Sequence, residues 1–123
     1  MSYSVLIVDD EDEIRELIGL QLENPDRIFF HAANGLEAID VLSNQTIDLV
    51  ISDIAMPKMN GFELLRKIKL LGLTTPVIIL TGHADSMVAN QLRTYSVRSF
   101  INKPWNRNEL ENAVESALKN KFS

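Results

Sequence analysis

The chain has no cysteine. That excludes a disulfide framework, a thiolate metal cluster and a thiol nucleophile, and it is compatible with a reducing compartment. Positive charge is short as well: 12 lysines and arginines stand against 17 aspartates and glutamates, a formal net charge of -5. A nucleic-acid backbone is bound through a lysine and arginine surface that displaces counterions, so no direct nucleic-acid ligand is expected. Long apolar runs are missing too. Met1 to Asp9 lacks a basic leader and turns acidic after a few apolar residues, and no later stretch approaches membrane-spanning length. The expected location is the cytoplasm, away from any membrane.

What is present is an ordinary globular composition, 46% hydrophobic and 24% charged, far from the profile of a disordered chain. At 123 residues the chain can bury a core without staples. No linker, repeat or low-complexity segment divides it, so residues 1–123 are read as one domain.

Four short stretches, Val5 to Val8, Ile28 to Phe30, Leu49 to Ile51 and Val77 to Leu80, are apolar and rich in β-branched or aromatic residues, as strands buried on both faces tend to be. A fifth, Val97 to Ile101, alternates. Between them the apolar residues recur at helical spacing: Ile14, Leu17, Ile18 and Leu22; Leu36, Ile39 and Leu42; Leu64, Leu65 and Ile68; Met87 and Leu92; Leu110, Val114, Ala117 and Leu118. Strand then helix, five times over, implies an α/β fold with a parallel sheet, right-handed crossovers and helices on both faces. Breakers fall where this pattern needs them, at Asn24-Pro25, Asn34-Gly35, Gly72, Pro76 and Pro104. The fourth predicted helix, 84–95, is only loosely amphipathic.

In an open parallel sheet, ligands bind beyond the carboxyl ends of the strands. Asp9, Asp10, Glu11 and Asp12 follow the first strand, Asp53 ends the third, Thr81 ends the fourth and Lys103 follows the fifth. Clustered carboxylates repel one another unless a cation holds them ionised. Oxygen-only ligands suit Mg²⁺, and Mn²⁺ fits the same set. An ammonium at Lys103 and a hydroxyl at Thr81 would complete a pocket for phosphoryl oxygens, and a carboxylate is then the natural acceptor, as an aspartyl-phosphate.

Four ordered stretches, Leu6-Ile7-Val8-Asp9-Asp10-Glu11, Asp53-Ile54-Ala55-Met56-Pro57-Lys58-Met59-Asn60-Gly61, Leu80-Thr81-Gly82 and Lys103-Pro104, make essentially the whole chain resemble the receiver domains of two-component response regulators. The resemblance implies a doubly wound, flavodoxin-like sheet of five strands in the order 2-1-3-4-5. It implies that Asp53 is phosphorylated, that Asp10, Asp53 and the Ala55 carbonyl bind Mg²⁺ directly, and that Asp9 acts largely through water. Lys103 would pair with the phosphoryl group, Thr81 would move to hydrogen-bond it, and Phe100 would repack, altering the face made by the fourth helix, fifth strand and last helix. The implied partners are a sensor histidine kinase or histidine phosphotransfer protein, a downstream effector domain or protein, and a second copy once phosphorylated. The chain would be a phosphoacceptor switch, catalysing only its own phosphorylation and dephosphorylation. It departs from the family at Phe100, which lacks a tyrosine's hydroxyl, and at Tyr95-Ser96-Val97, where receivers often carry a Gly-Ala turn. Ala55 and His83 resemble the positions that tune phosphoryl lifetime.

Plainer readings apply elsewhere. Asp12 and Glu13 suit a helix first turn, Asp48 a solvated turn, and His31 and His83 surface or half-buried places. Met59 and Phe62 suit packing of the third helix, Trp105 a half-exposed place near the last one, and Lys103-Pro104 a cis bond. An aspartyl-phosphate phosphatase would need an Asp-x-Asp pair and a cap domain, and a flavodoxin-like cofactor binder would need a phosphate loop where four acids stand. A receiver fold that binds partners without phosphorylation is the remaining alternative.

Overall fold

The computed structural model describes residues 2–56, 58–82, 95 and 97–120, the last by its backbone. The elements are β1 (Tyr3–Val8), α1 (Asp12–Gln21), β2 (Arg27–Ala32), α2 (Gly35–Asn44), β3 (Leu49–Asp53), α3 (Gly61–Leu70), β4 (Val77–Thr81), β5 (Val97–Asn102) and α4 (Arg107–Asn120). All four strand pairings are parallel, and the sheet runs β2-β1-β3-β4-β5. The fold expected from alternation and resemblance is therefore the observed one. The helix expected over 84–95, with Met87, Leu92 and His83 nearby, lies outside the described residues.

Successive strand side chains point to opposite faces, and this divides the core in two. Leu6, Val8, Val50 and Ile79 meet Ala38 and Leu42 of α2 and Leu64, Leu65 and Ile68 of α3. Val5, Ile7, Leu49, Ile51, Ile78 and Leu80 meet Ile18 of α1 and Leu110, Val114 and Leu118 of α4. β1, β3 and β4 lie inside the sheet and are apolar on both sides for that reason. β2 does not match the doubly buried strand expected of Ile28 to Phe30: Ile28 is 50% exposed, and Phe29 and Phe30 are half-buried. It is an edge strand with one neighbour, so its outer face has less to pack against.

Local chemistry sets the helix ends. Asn34 caps α2 by accepting the Glu37 amide at 2.9 Å. Asn60 and Glu63 form a reciprocal capping box at the start of α3. Asp12 and Glu13 do stand in the first turn of α1. Its far end, which carries no cation of its own, borrows two: Arg107 Nε donates to the Gln21 carbonyl at 3.1 Å and Arg27 to the Leu22 carbonyl at 2.9 Å. Arg27 is buried, and it also bonds Glu111 and Glu115 of α4. Asp48 is no solvated turn: its carboxylate accepts the Ser4 amide at 2.8 Å and its amide donates to the Ser4 carbonyl at 2.8 Å, closing the start of β3 onto β1. No helix among the described residues is long and apolar enough to cross a membrane.

Candidate functional site

The order 2-1-3-4-5 reverses direction between β1 and β3, so a crevice opens beyond their carboxyl ends. Asp9 leaves β1 into this crevice with its amide donating to the Ala32 carbonyl at 3.1 Å. The residue is 1% exposed, and its Oδ1 accepts the Glu11 amide at 2.9 Å. Asp53, the last residue of β3, is 9% exposed. Asp10 is exposed at the mouth. One carboxylate oxygen from each of the three lies within 4.8 Å of the others.

Lys103 enters from the end of β5. Its amide donates to the Thr81 carbonyl at 2.8 Å, which prolongs the β4–β5 ladder, and its Nζ reaches Asp53 Oδ2 at 3.0 Å and lies 3.7 Å from Asp9 Oδ2. Thr81 is buried at the exit of β4. The Ala55 amide donates to Asp53 Oδ1 at 3.3 Å. Phe100 is half-buried on β5 opposite Ile79 and packs toward the α2 and α3 side. The Lys103-Pro104 bond is cis. Every residue proposed from the sequence for the chemistry thus stands at one edge of the sheet, with Phe100 one layer behind. His31, exposed on β2, takes no part; burial and then Arg15 hold its pKa below the ordinary value.

The pocket is electrostatically unfinished. Among the described residues, three carboxylates face one ammonium, and Asp9 Oδ2 is buried without a hydrogen-bond donor. Burial is the main reason that the Asp9 carboxyl is held above the usual range, with Asp53 and Asp10 adding to it and the Glu11 amide and Lys103 opposing it. A buried carboxylate oxygen that accepts no hydrogen bond among the described residues, beside two more carboxylates, belongs to a donor set that fits a hard divalent cation.

Arg15 escaped the sequence reading, and Asn60 and Gly61 entered it only inside the stretch from Asp53 to Gly61, with no role of their own. Arg15 donates to the Asp9 carbonyl at 2.6 Å and pairs with Asp12, bracing the acid loop from within α1. Its position one turn into a helix behind an acid run is the signal for it. Gly61 donates to the Ile54 carbonyl at 2.9 Å, and a Cβ there would lie 2.9 Å from the Asp53 carbonyl and 2.8 Å from Ile54 Cα, so only glycine lets α3 close against the Asp53 loop. Asn60 belongs to a capping box, legible as Asn-x-x-Glu, that starts α3 immediately beyond that loop.

A doubly wound α/β domain with an acid pocket and a facing lysine at its switch point defines a class of phosphoryl- or metal-handling proteins. Within that class, residues 5–115 match the model of the response regulator receiver domain, and the chain belongs to this family. It is 31% identical over 118 residues to sporulation initiation phosphotransferase F of Bacillus subtilis, covering 96% of this chain and 95% of that protein. It is 36% identical over 114 residues to the transcriptional regulatory protein GlrR of Escherichia coli, covering 93% of this chain but only 26% of that protein's length. Among solved structures, the signal receiver domain of an HD domain-containing protein from Pseudomonas fluorescens superposes with a TM-score of 0.90 at 27% identity, over 99% of this chain and 98% of that one. The Vibrio cholerae chemotaxis protein CheY4 does so with a TM-score of 0.88 at 27% identity, over 96% and 100%. The chain is accordingly a regulatory domain of two-component phosphoacceptor signalling.

Proposed function

We propose that Asp53 accepts a phosphoryl group from the phosphohistidine of a sensor histidine kinase or histidine phosphotransfer protein. A carboxylate oxygen forms a bond to phosphorus as the phosphorus–nitrogen bond breaks, and the imidazole leaves with the bonding pair and picks up a proton. Asp53 becomes an acyl phosphate, which water later hydrolyses to restore the carboxylate. The observation that carries this reading is Lys103 Nζ at 3.0 Å from Asp53, with Asp9 and Asp10 in the same pocket.

Lys103 neutralises the carboxylate beforehand and stays to pair with the incoming phosphoryl oxygens. Asp10, Asp53 and the Ala55 carbonyl would hold Mg²⁺, or Mn²⁺, directly, with Asp9 acting largely through water. When bound, the ion supplies neutralisation of the phosphoryl charge. Once Asp53 is modified, the Thr81 hydroxyl turns to the phosphoryl group and Phe100 repacks into the space it leaves. The receiver then shifts between two pre-existing states, changing a face near β5 and α4 that an effector, or a second phosphorylated copy, reads. The reading places the protein in the cytoplasm and gives it no direct contact with nucleic acid.

The test is intact-mass measurement after treatment with acetyl phosphate and Mg²⁺, with and without chelator, beside Asp53→Asn. One phosphoryl adduct that needs metal and vanishes in the variant supports the switch. A folded protein that never gains the adduct is instead a binding module that works without phosphorylation.

A further inference from the structure

Lys103 has a long flexible side chain on a short connection between β5 and α4. On one side its backbone is held by the sheet, through the bond from its amide to the Thr81 carbonyl. On the other side the chain is fastened to α1. Trp105 Nε1 donates to Gln21 Oε1 at 2.7 Å, and Arg107 Nε donates to the Gln21 carbonyl at 3.1 Å. Gln21 is the last residue of α1, and the opposite end of that helix begins at the acid loop. One helix therefore joins two parts of the pocket's frame, the Asp9 and Asp10 loop at its start and the lysine connection at its end.

A groove of about 410 Å³, lined by Ile14, Leu17, Gln21, Lys103, Pro104 and Trp105, lies between α1 and the lysine connection. The indole is half-buried and touches the α1 and α4 core cluster, a role that any aromatic ring could fill. The bond from its N–H to Gln21 is the part that needs tryptophan. We infer that Trp105 and Gln21 are positioning residues for phosphoryl transfer, a strap that holds the Lys103 ammonium over Asp53. This inference rests on the proposal that Asp53 is the acceptor and Lys103 its partner.

The strap acts on the lysine and not on the carboxylates, which gives it a distinguishing signature. Trp105→Phe keeps the ring and loses the donor; Gln21→Leu keeps the helix and loses the acceptor. Each should slow adduct formation from acetyl phosphate at saturating Mg²⁺ by about two- to tenfold, the worth of one ordinary hydrogen bond. The Mg²⁺ concentration giving half the maximal rate should stay as in the wild type. The double variant should be no slower than the slower single variant, because both changes break the same bond.

Wild-type rates in both single variants would overturn the strap, as would losses that multiply in the double variant. A fall in Mg²⁺ affinity in step with the rate would also overturn it, since that marks general loosening of the site. Should Trp105→Phe fail to fold, Gln21→Leu with the same rate and metal measurements decides alone. Failure of the underlying proposal is seen separately, in a wild-type protein that takes no adduct.

Discussion

Replacing Asp9 by asparagine should stabilise the metal-free protein and weaken its response to Mg²⁺. Asp9 is 1% exposed, and three charges act on its carboxylate. Attraction to Lys103 Nζ at 3.7 Å is on the order of 4 kcal/mol at an effective dielectric constant of about 20. Repulsion from Asp53, with oxygens within 4.8 Å, is on the order of 3 kcal/mol on the same basis, and exposed Asp10 adds about 1 kcal/mol in its wetter setting. These contributions nearly cancel, which leaves the cost of taking a carboxylate out of water. Asparagine fills the same space, keeps an acceptor for the Glu11 amide, offers N–H donors to the neighbouring carboxylates and carries no charge to desolvate. The net gain should be about 1 to 2 kcal/mol, or roughly 4 to 8 °C in melting midpoint for a domain of this size.

Thermal unfolding in chelator and over a Mg²⁺ series at neutral pH measures both effects. The wild-type midpoint should climb with the ion by mass action, and the variant's should climb less at the same Mg²⁺ concentration. The sign with pH also follows. Burial raises the Asp9 pKa, so the native state keeps a proton that the unfolded chain has released. The wild-type penalty therefore grows as pH rises from the ordinary 3.8 through the folded value, and the variant's advantage should disappear below about 3.8. An Asp9→Asn protein less stable than wild type in chelator, or an advantage unchanged in acid, would show that the attraction to Lys103 outweighs desolvation and refute the reasoning.

Arg27→Met removes a guanidinium that is 3% exposed, leaving the Leu22 carbonyl unpaired; it should cost about 2 to 3 kcal/mol in urea unfolding, whereas Glu111→Gln, at a partly exposed partner, should cost about 1. Glu115 has its pKa lowered, chiefly by the hydrogen bond from Lys119 and also by Arg27, so its contribution is present above the ordinary 4.5 and lost as pH falls through the folded value; Glu115→Gln should flatten the acid limb of the stability curve. Gly19→Ala, where a Cβ meets nothing within 4 Å in the last turn of α1, should stabilise by up to about 1 kcal/mol. Gly61→Ala meets the Asp53 backbone instead and should lose about 1 to 3 kcal/mol together with most of the phosphorylation rate, which unfolding curves and intact-mass kinetics measure side by side.

The alternation of strands and helices was legible in the sequence because two periodicities, two and 3.6, are imposed by local geometry and by a single requirement to bury one face. The interior strands Val5 to Val8, Leu49 to Ile51 and Val77 to Leu80 announced themselves as runs of apolar residues. Asp9, Asp10, Asp53, Thr81 and Lys103 could be nominated because each immediately ends or follows such a run, and strand ends are where an open parallel sheet keeps its chemistry. Ile28 misled, since an apolar β-branched residue looks the same on an edge strand as on a central one. Asp48 misled because its partner, the Ser4 amide, is 44 residues away. Arg27, next to an acidic turn, looks like any surface arginine until α4 closes over it.

By itself, then, the sequence determined the elements, their order and the residue types brought to one edge of the sheet, because local propensity and the burial pattern depend only on near neighbours. Tertiary structure alone decided which carboxylate is buried with one oxygen that no donor among the described residues reaches, which is exposed, and how close the ammonium stands. It also decided that Gln21 fastens the lysine connection across a groove. Those are matters of distance and dielectric between segments far apart in the chain, and no spacing along the chain carries them.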